Sequence, residues 1–110
     1  MIKISNEQLL AGLNKISGIV DRKNSRPILS NCLFQFDEKK LFISATDLEV
    51  SAKVCINISG KEKGEFCVNT KQLQDIIREM SSGEVELIND VTNHTLQIKF
   101  KDAAFSILTA

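Results

Sequence analysis

The 110-residue sequence contains no tryptophan and no tyrosine, and only one proline and one histidine. Without Trp and Tyr the chain lacks the amphipathic aromatic anchors that dominate tight protein interfaces. Neither sign of charge is in excess, since fourteen Lys and Arg face fourteen Asp and Glu. Any basic face must therefore be offset by an acidic one. This argues against a tight, free-standing DNA-binding domain working by bulk charge, though not against one part of a larger assembly whose inner surface alone is basic. No apolar run approaches the ~20 residues that span a bilayer. Met1-Ile2-Lys3-Ile4 leads into a polar helix start rather than a signal sequence, so a cytoplasmic protein with no membrane partner is expected.

Catalytic signatures are equally scarce. His94, the single histidine, falls in a turn between strands, with no Cys or Ser nucleophile in a recognisable arrangement and no Gly-rich phosphate loop beside it. Asp47 and Glu49 are two apart, yet no third carboxylate or histidine accompanies them, and an Asp at a strand corner commonly bonds nearby backbone. Cys32, Cys55 and Cys67 are odd in number and widely spaced inside strand-like runs. They read as free, buried small hydrophobes rather than as a disulfide framework or a zinc site. Asn57-Ile58-Ser59 and Asn93-His94-Thr95 match the glycosylation acceptor pattern, which carries no meaning in a cytoplasmic protein.

What is present is an ordinary globular composition, 43% apolar and 25% charged. One domain of this length buries roughly 65% of its unfolded surface. Ile2-Lys3-Ile4 alternates as a short strand. Ser5 with Gln8 makes a capping box, and Leu9, Leu10, Leu13 and Ile16 follow at helical spacing, so a helix is predicted over Asn6 to Ser17 with Gly18 as its stop. Its opposite face carries Gln8, Ala11, Gly12 and Lys15. A polar loop, Asp21 to Arg26, follows. Arg26 to Phe36 and Leu41 to Glu49 read as a hairpin across Asp37-Glu38-Lys39-Lys40, with Pro27 at a strand opening where no ladder bond is lost. Val50 to Ile58 makes the third strand of a meander. Ser59 to Gly64 is a turn, Glu65 to Val68 a strand, and Asn69 with Gln72 caps a second helix, residues 69 to 81. Leu73, Ile76, Ile77 and Met80 form its apolar stripe, with Lys71, Gln74, Asp75 and Arg78 on the other side. Strands Glu84 to Ile88, Thr95 to Phe100 and Ala103 to Thr109 complete the chain.

The two halves share one element order: strand, capped helix, three strands. Each unit has one helix and one sheet face to bury, so packing both together closes a single two-helix core backed by sheet. The α+β class follows from the residues alone.

Three segments, Arg26-Pro27-Ile28-Leu29-Ser30-Asn31, Ala45-Thr46-Asp47-Leu48-Glu49 and Phe105-Ser106-Ile107-Leu108-Thr109, stand in the order and rough spacing found in the first domain of the bacterial DNA polymerase III beta subunit, the replicative sliding clamp. Their joint order carries the match, and the resemblance runs from Met1 to Ala110. It implies a DNA clamp fold of duplicated βαβββ units, with two helices side by side against antiparallel sheets. It also implies a non-catalytic role without cofactor or metal, as the N-terminal domain of a chain of three similar domains. In that family a head-to-tail homodimeric ring encircles duplex DNA without regard to sequence and tethers the polymerase. DNA polymerase III and the clamp loader would be met through domains beyond these 110 residues.

The resemblance also assigns residues. Aligned from Pro27, Lys23 falls where the family tends to carry a DNA-contacting cation, in a loop where Arg22 and Arg26 add charge. Lys71 and Arg78 match basic positions on the second channel-lining helix. Lys15 joins them from the first, although Ala11 stands where relatives can carry a cation. Phe105, Ser106, Ile107 and Leu108 match the strand at the subunit boundary, and the residues themselves are equally compatible with an internal strand. Asp102 and Ala104 replace basic residues beside that boundary, so salt bridges across it are not implied. The competing readings are a stand-alone interaction module of the same fold and, more remotely, a small enzyme using His94 or a cysteine.

Overall fold

Residues 1–20, 31–46 and 51–109 are described by the computed structural model. In chain order these residues form β1 (Ile2–Ser5), α1 (Asn6–Val20), β2 (Asn31–Phe36), β3 (Lys40–Thr46), β4 (Ser51–Asn57), β5 (Ser59–Gly60), β6 (Gly64–Asn69), α2 (Thr70–Arg78), β7 (Glu84–Asp90), β8 (Thr95–Phe100) and β9 (Ala103–Leu108).

Two antiparallel sheets result, ordered β5-β1-β7-β8-β9 and β4-β3-β2-β6. Each half therefore lends its first strand to the other half's meander. β1 pairs with β7, placing Ser5 opposite Glu84, and β6 pairs with β2, placing Asn69 opposite Asn31. The seams between the sheets close in matching fashion. The chain runs from β4 through Ile58 into β5, which pairs with β1, and past β9 the Thr109 backbone bridges to Val68 of β6.

Alternation within the strands turns one face of each sheet inward. Ile2, Ile4, Val85, Leu87, Leu96 and Ile98 come from the first sheet and Phe34, Leu41 and Ile43 from the second, all at most 2% exposed. Leu9, Leu13 and Ile16 of α1 and Leu73 and Ile77 of α2 fill the space between. Phe34 and Phe66 stack with ring centroids 4.9 Å apart where the borrowed β6 meets β2. The two helices pack against each other as the doubled pattern predicts.

Several boundaries differ from the sequence reading. α1 continues through Gly18 to Val20, because one helical Gly costs only about 1 kcal/mol and fourteen other residues propagate the turn. α2 stops at Arg78, where the last turn tightens and Met80 N–H donates to Ile77 O at 3.1 Å. Ser59 and Gly60 belong to a short strand rather than a turn, drawn in by the edge of β1. Gly12 does not share the outer face of α1. It is buried where the helix lies on the second sheet, and a Cβ there would sit 3.1 Å from Ile56 Cδ1 and 3.4 Å from Val54 Cγ2. Cys55 is exposed, on the outward face of β4, while Cys32 is buried and Cys67 half-buried on opposite faces of the same sheet. The predicted strand opening at residues 26–30 lies outside the described residues, as do Asp47, Leu48 and Glu49 of the predicted corner and Val50 at the predicted start of the third strand.

Candidate nucleic-acid interface

The solvent side of the helix pair is built by two capped starts. Ser5 Oγ accepts from Gln8 N–H at 3.4 Å, and Asn69 Oδ1 from Gln72 N–H at 2.9 Å, which satisfies otherwise orphaned donors in each first turn. The start of α1 is further tied to the segment that follows α2. Asn6 N–H donates to Gly83 O at 2.9 Å, Asn6 Nδ2 donates to Ser81 O at 2.5 Å, and Ser82 Oγ donates to Glu7 Oε1.

From this frame the exposed side chains are Glu7, Gln8, Ala11, Asn14 and Lys15 on α1, and Lys71, Gln72, Asp75, Arg78 and Glu79 at α2. Three of these are cations and three are carboxylates. Arg78 already has an exposed partner on its own helix, its Nη1 lying 3.4 Å from Asp75 Oδ1. A surface pair of that kind stabilises by a fraction of a kcal/mol at most, so the guanidinium stays available to another anion. Lys15, Lys71 and Arg78 are thus all solvent-facing on the helix pair. Lys23 and Arg22 lie outside the described residues, as does Arg26.

Gln74 departs from the sequence reading. It is 6% exposed and sits in the seam between the helices instead of on the outer face. Its Nε2 donates to Asn14 Oδ1 at 2.6 Å and to Ser17 Oγ at 3.3 Å. The signal was there: Thr70, Leu73, Gln74 and Ile77, all buried, follow i, i+3, i+4, i+7 spacing, but two of the four are polar and a hydrophobicity pattern passes over them.

At the far edge of the first sheet, β9 splits its residues. Ile107 is buried opposite Leu96, and Phe105, opposite Ile98, is 39% exposed because, among the described residues, no strand lies beyond β9 in the sheet. Ser106 is exposed, and Leu108 is 74% exposed. An open edge carrying two exposed large apolar side chains is a ready site for strand pairing with another chain.

Of the residues weighed for chemistry, Asp47 and Glu49 lie outside the described residues and His94 serves a turn. His94 is exposed in the β7–β8 turn with φ 53°, and its carbonyl accepts from Thr109 N–H at 2.9 Å. Asp90 in the same turn accepts from Asn93 Nδ2 at 2.7 Å, and that bond first of all holds its carboxyl below the usual range. Asp37 likewise accepts from Lys39 and Lys40 N–H at 2.8 Å each, which lowers its pKa and closes the β2–β3 turn. Among the described residues no three His, Cys, Asp or Glu side chains group as metal ligands. No helix of the described residues is long and apolar enough to cross a membrane.

Two strand-helix-meander repeats that exchange first strands, with both helices side by side and both sheets behind them, define a clamp-type α+β domain. Residues 1–110 match the DNA polymerase III beta subunit, N-terminal domain, family over their whole length. The chain belongs to that family. A curated relative named beta sliding clamp from Haemophilus influenzae is 35% identical over 79 residues, which is 71% of this chain and 22% of the relative. The beta sliding clamp of Rickettsia felis is 30% identical over 108 residues, 96% of this chain and 28% of its own length. Among solved structures, Caulobacter crescentus pol III beta superposes with a TM-score of 0.89 at 27% identity, covering 99% of this chain and 29% of that one. The chain thus spans less than a third of the relatives it matches.

Proposed function

We propose that this chain is the N-terminal domain of a three-domain sliding clamp, a non-catalytic ring component that surrounds duplex DNA in the cytoplasm and tethers the replicative polymerase. The observation that carries this is the solvent face of the helix pair, where Lys15, Lys71 and Arg78 are interleaved with Glu7, Asp75 and Glu79 in a domain of the clamp family. Such a face attracts phosphates weakly and reads no bases. Weakness suits a ring that must slide, because retention then comes from topology and the contacts never fix a register. Lys23 and Arg22, which follow α1 in sequence, would add two further cations for phosphate.

The open edge of β9 supports head-to-tail pairing with a second subunit through Phe105, Ser106 and Leu108, while Ile107 stays with the core. DNA polymerase III and the clamp loader would dock on the remaining domains. The deciding measurement is the salt dependence of duplex binding by the full-length ring. Three or four phosphate contacts give a log-log slope of roughly −3 to −4, the same for unrelated sequences, and the isolated 110-residue chain should bind only in the millimolar range or not at all. Nanomolar, sequence-dependent binding by the isolated chain would falsify the tethering role and favour a DNA-recognition module.

A further inference from the structure

Gln74 has its two Nε2 hydrogens directed at two acceptors on the neighbouring helix, Asn14 Oδ1 at 2.6 Å and Ser17 Oγ at 3.3 Å. Ser17 Oγ in turn donates to the Asn14 carbonyl at 3.2 Å. The network fixes more than the spacing of the helices. Asn14 is exposed, and once its Oδ1 is held by the buried Gln74, the amide is oriented with its Nδ2 donors away from the seam. Among the described residues that nitrogen has no protein acceptor.

On α2, Lys71 and Arg78 stand three residues before and four after Gln74, one helical row along the same seam. Asn14 therefore emerges between the cation of its own helix, Lys15, and the two cations of the other. A neutral N–H donor between lysines and arginines is a common phosphate partner, and it adds a hydrogen bond without adding charge. We infer that Asn14 is a phosphate-contacting residue of the helix-pair surface and that Gln74 is a positioning residue, whose buried amide turns Asn14 donor-side out. The inference rests on the reading that this face meets DNA.

A neutral contact and an ionic one are separable by salt. Losing a cation removes one released counterion and flattens the slope by about 1, whereas losing a neutral donor shifts the whole line without tilting it. The experiment is a salt titration of full-length rings on short linear duplex, followed by anisotropy, for Asn14→Ala, Gln74→Met, the double variant and Lys15→Ala. Asn14→Ala is expected to weaken binding about three- to tenfold at every salt concentration with unchanged slope. Gln74→Met should fall between wild type and Asn14→Ala, and should add nothing in the Asn14→Ala background even though it lowers thermal stability in both. Wild-type affinity for Asn14→Ala, while Lys15→Ala still flattens the slope, would overturn the inference and leave the tethering reading intact. An added loss from Gln74→Met in the double variant would overturn the positioning role. If Lys15, Lys71 and Arg78 can each be replaced by Ala without effect, the DNA-facing reading fails first. Asn14 is exposed, so its variant stays informative should Gln74→Met not fold.

Discussion

Ser5 and Asn69 occupy equivalent places in the two halves of one chain. Each ends the strand its half lends away, each stands opposite the first residue of the strand it joins, and each accepts the backbone N–H of a glutamine three residues on. The bonds differ in length, 3.4 Å at Ser5 against 2.9 Å at Asn69. Asn69→Ala is therefore expected to cost about 1 kcal/mol and Ser5→Ala less, measured as shifts in the urea midpoint of the 110-residue chain. Equal losses would show that the longer bond matters as much as the shorter.

The thiols should separate by reactivity and by pH. Burial pushes Cys32 up from 9.0 to about 11, and the Thr70 hydroxyl beside it pulls the other way without making a well-formed hydrogen bond. A thiol reagent should modify Cys55 at once, Cys67 slowly and Cys32 only on unfolding. The folded pKa lies above the unfolded one, so the contribution is complete below pH 9 and is lost as pH rises toward 11. That loss is on the order of 2 kcal/mol. Cys32→Val should remove this part of the alkaline transition in pH-dependent melting curves.

Asp75 stands beside Arg78. Removing the carboxylate deletes a repulsive charge from the proposed DNA face, so Asp75→Asn should tighten duplex binding by the full-length ring severalfold at low salt and steepen its salt dependence. Stability should change by less than about 0.5 kcal/mol, because the pair is exposed. Unchanged affinity would place Arg78 away from the phosphates.

Alternate residues of β9 should have different consequences. Ile107→Ala opens a cavity beside Leu96 and is expected to destabilise the domain by about 2–4 kcal/mol. Leu108→Lys should leave the melting temperature of the 110-residue chain nearly unchanged while weakening the full-length dimer in sedimentation experiments. Intact dimers would confine the subunit boundary to other residues.

The element order and both helices were legible because capping residues and apolar spacing act locally, within one or two turns. The strand exchange was legible only as a need to bury two faces together, since the pairing of Ile2–Ser5 with Glu84–Leu87 is a tertiary choice. Gly12 and Gln74 escaped the pattern for opposite reasons. One is buried to let a helix approach a sheet, the other to satisfy two acceptors, and neither role shows in hydrophobicity. The cations could be named one by one, but the carboxylates interleaved with them emerge only when the two helices are set side by side.

The exchange of first strands also sets an order in time. Apart from two residues of β5, the partner of β1 is β7, so Ile2 and Ile4 leave the ribosome with most of their sheet still unsynthesised. At ordinary elongation rates the intervening stretch of roughly eighty residues takes about 4 to 16 s to make. During that interval β1 waits for its main partner while β2, β3 and β4 can already form their meander. Neither half reaches its native sheet before the other arrives, so these residues complete their fold as a unit, once β7, β8 and β9 have all emerged.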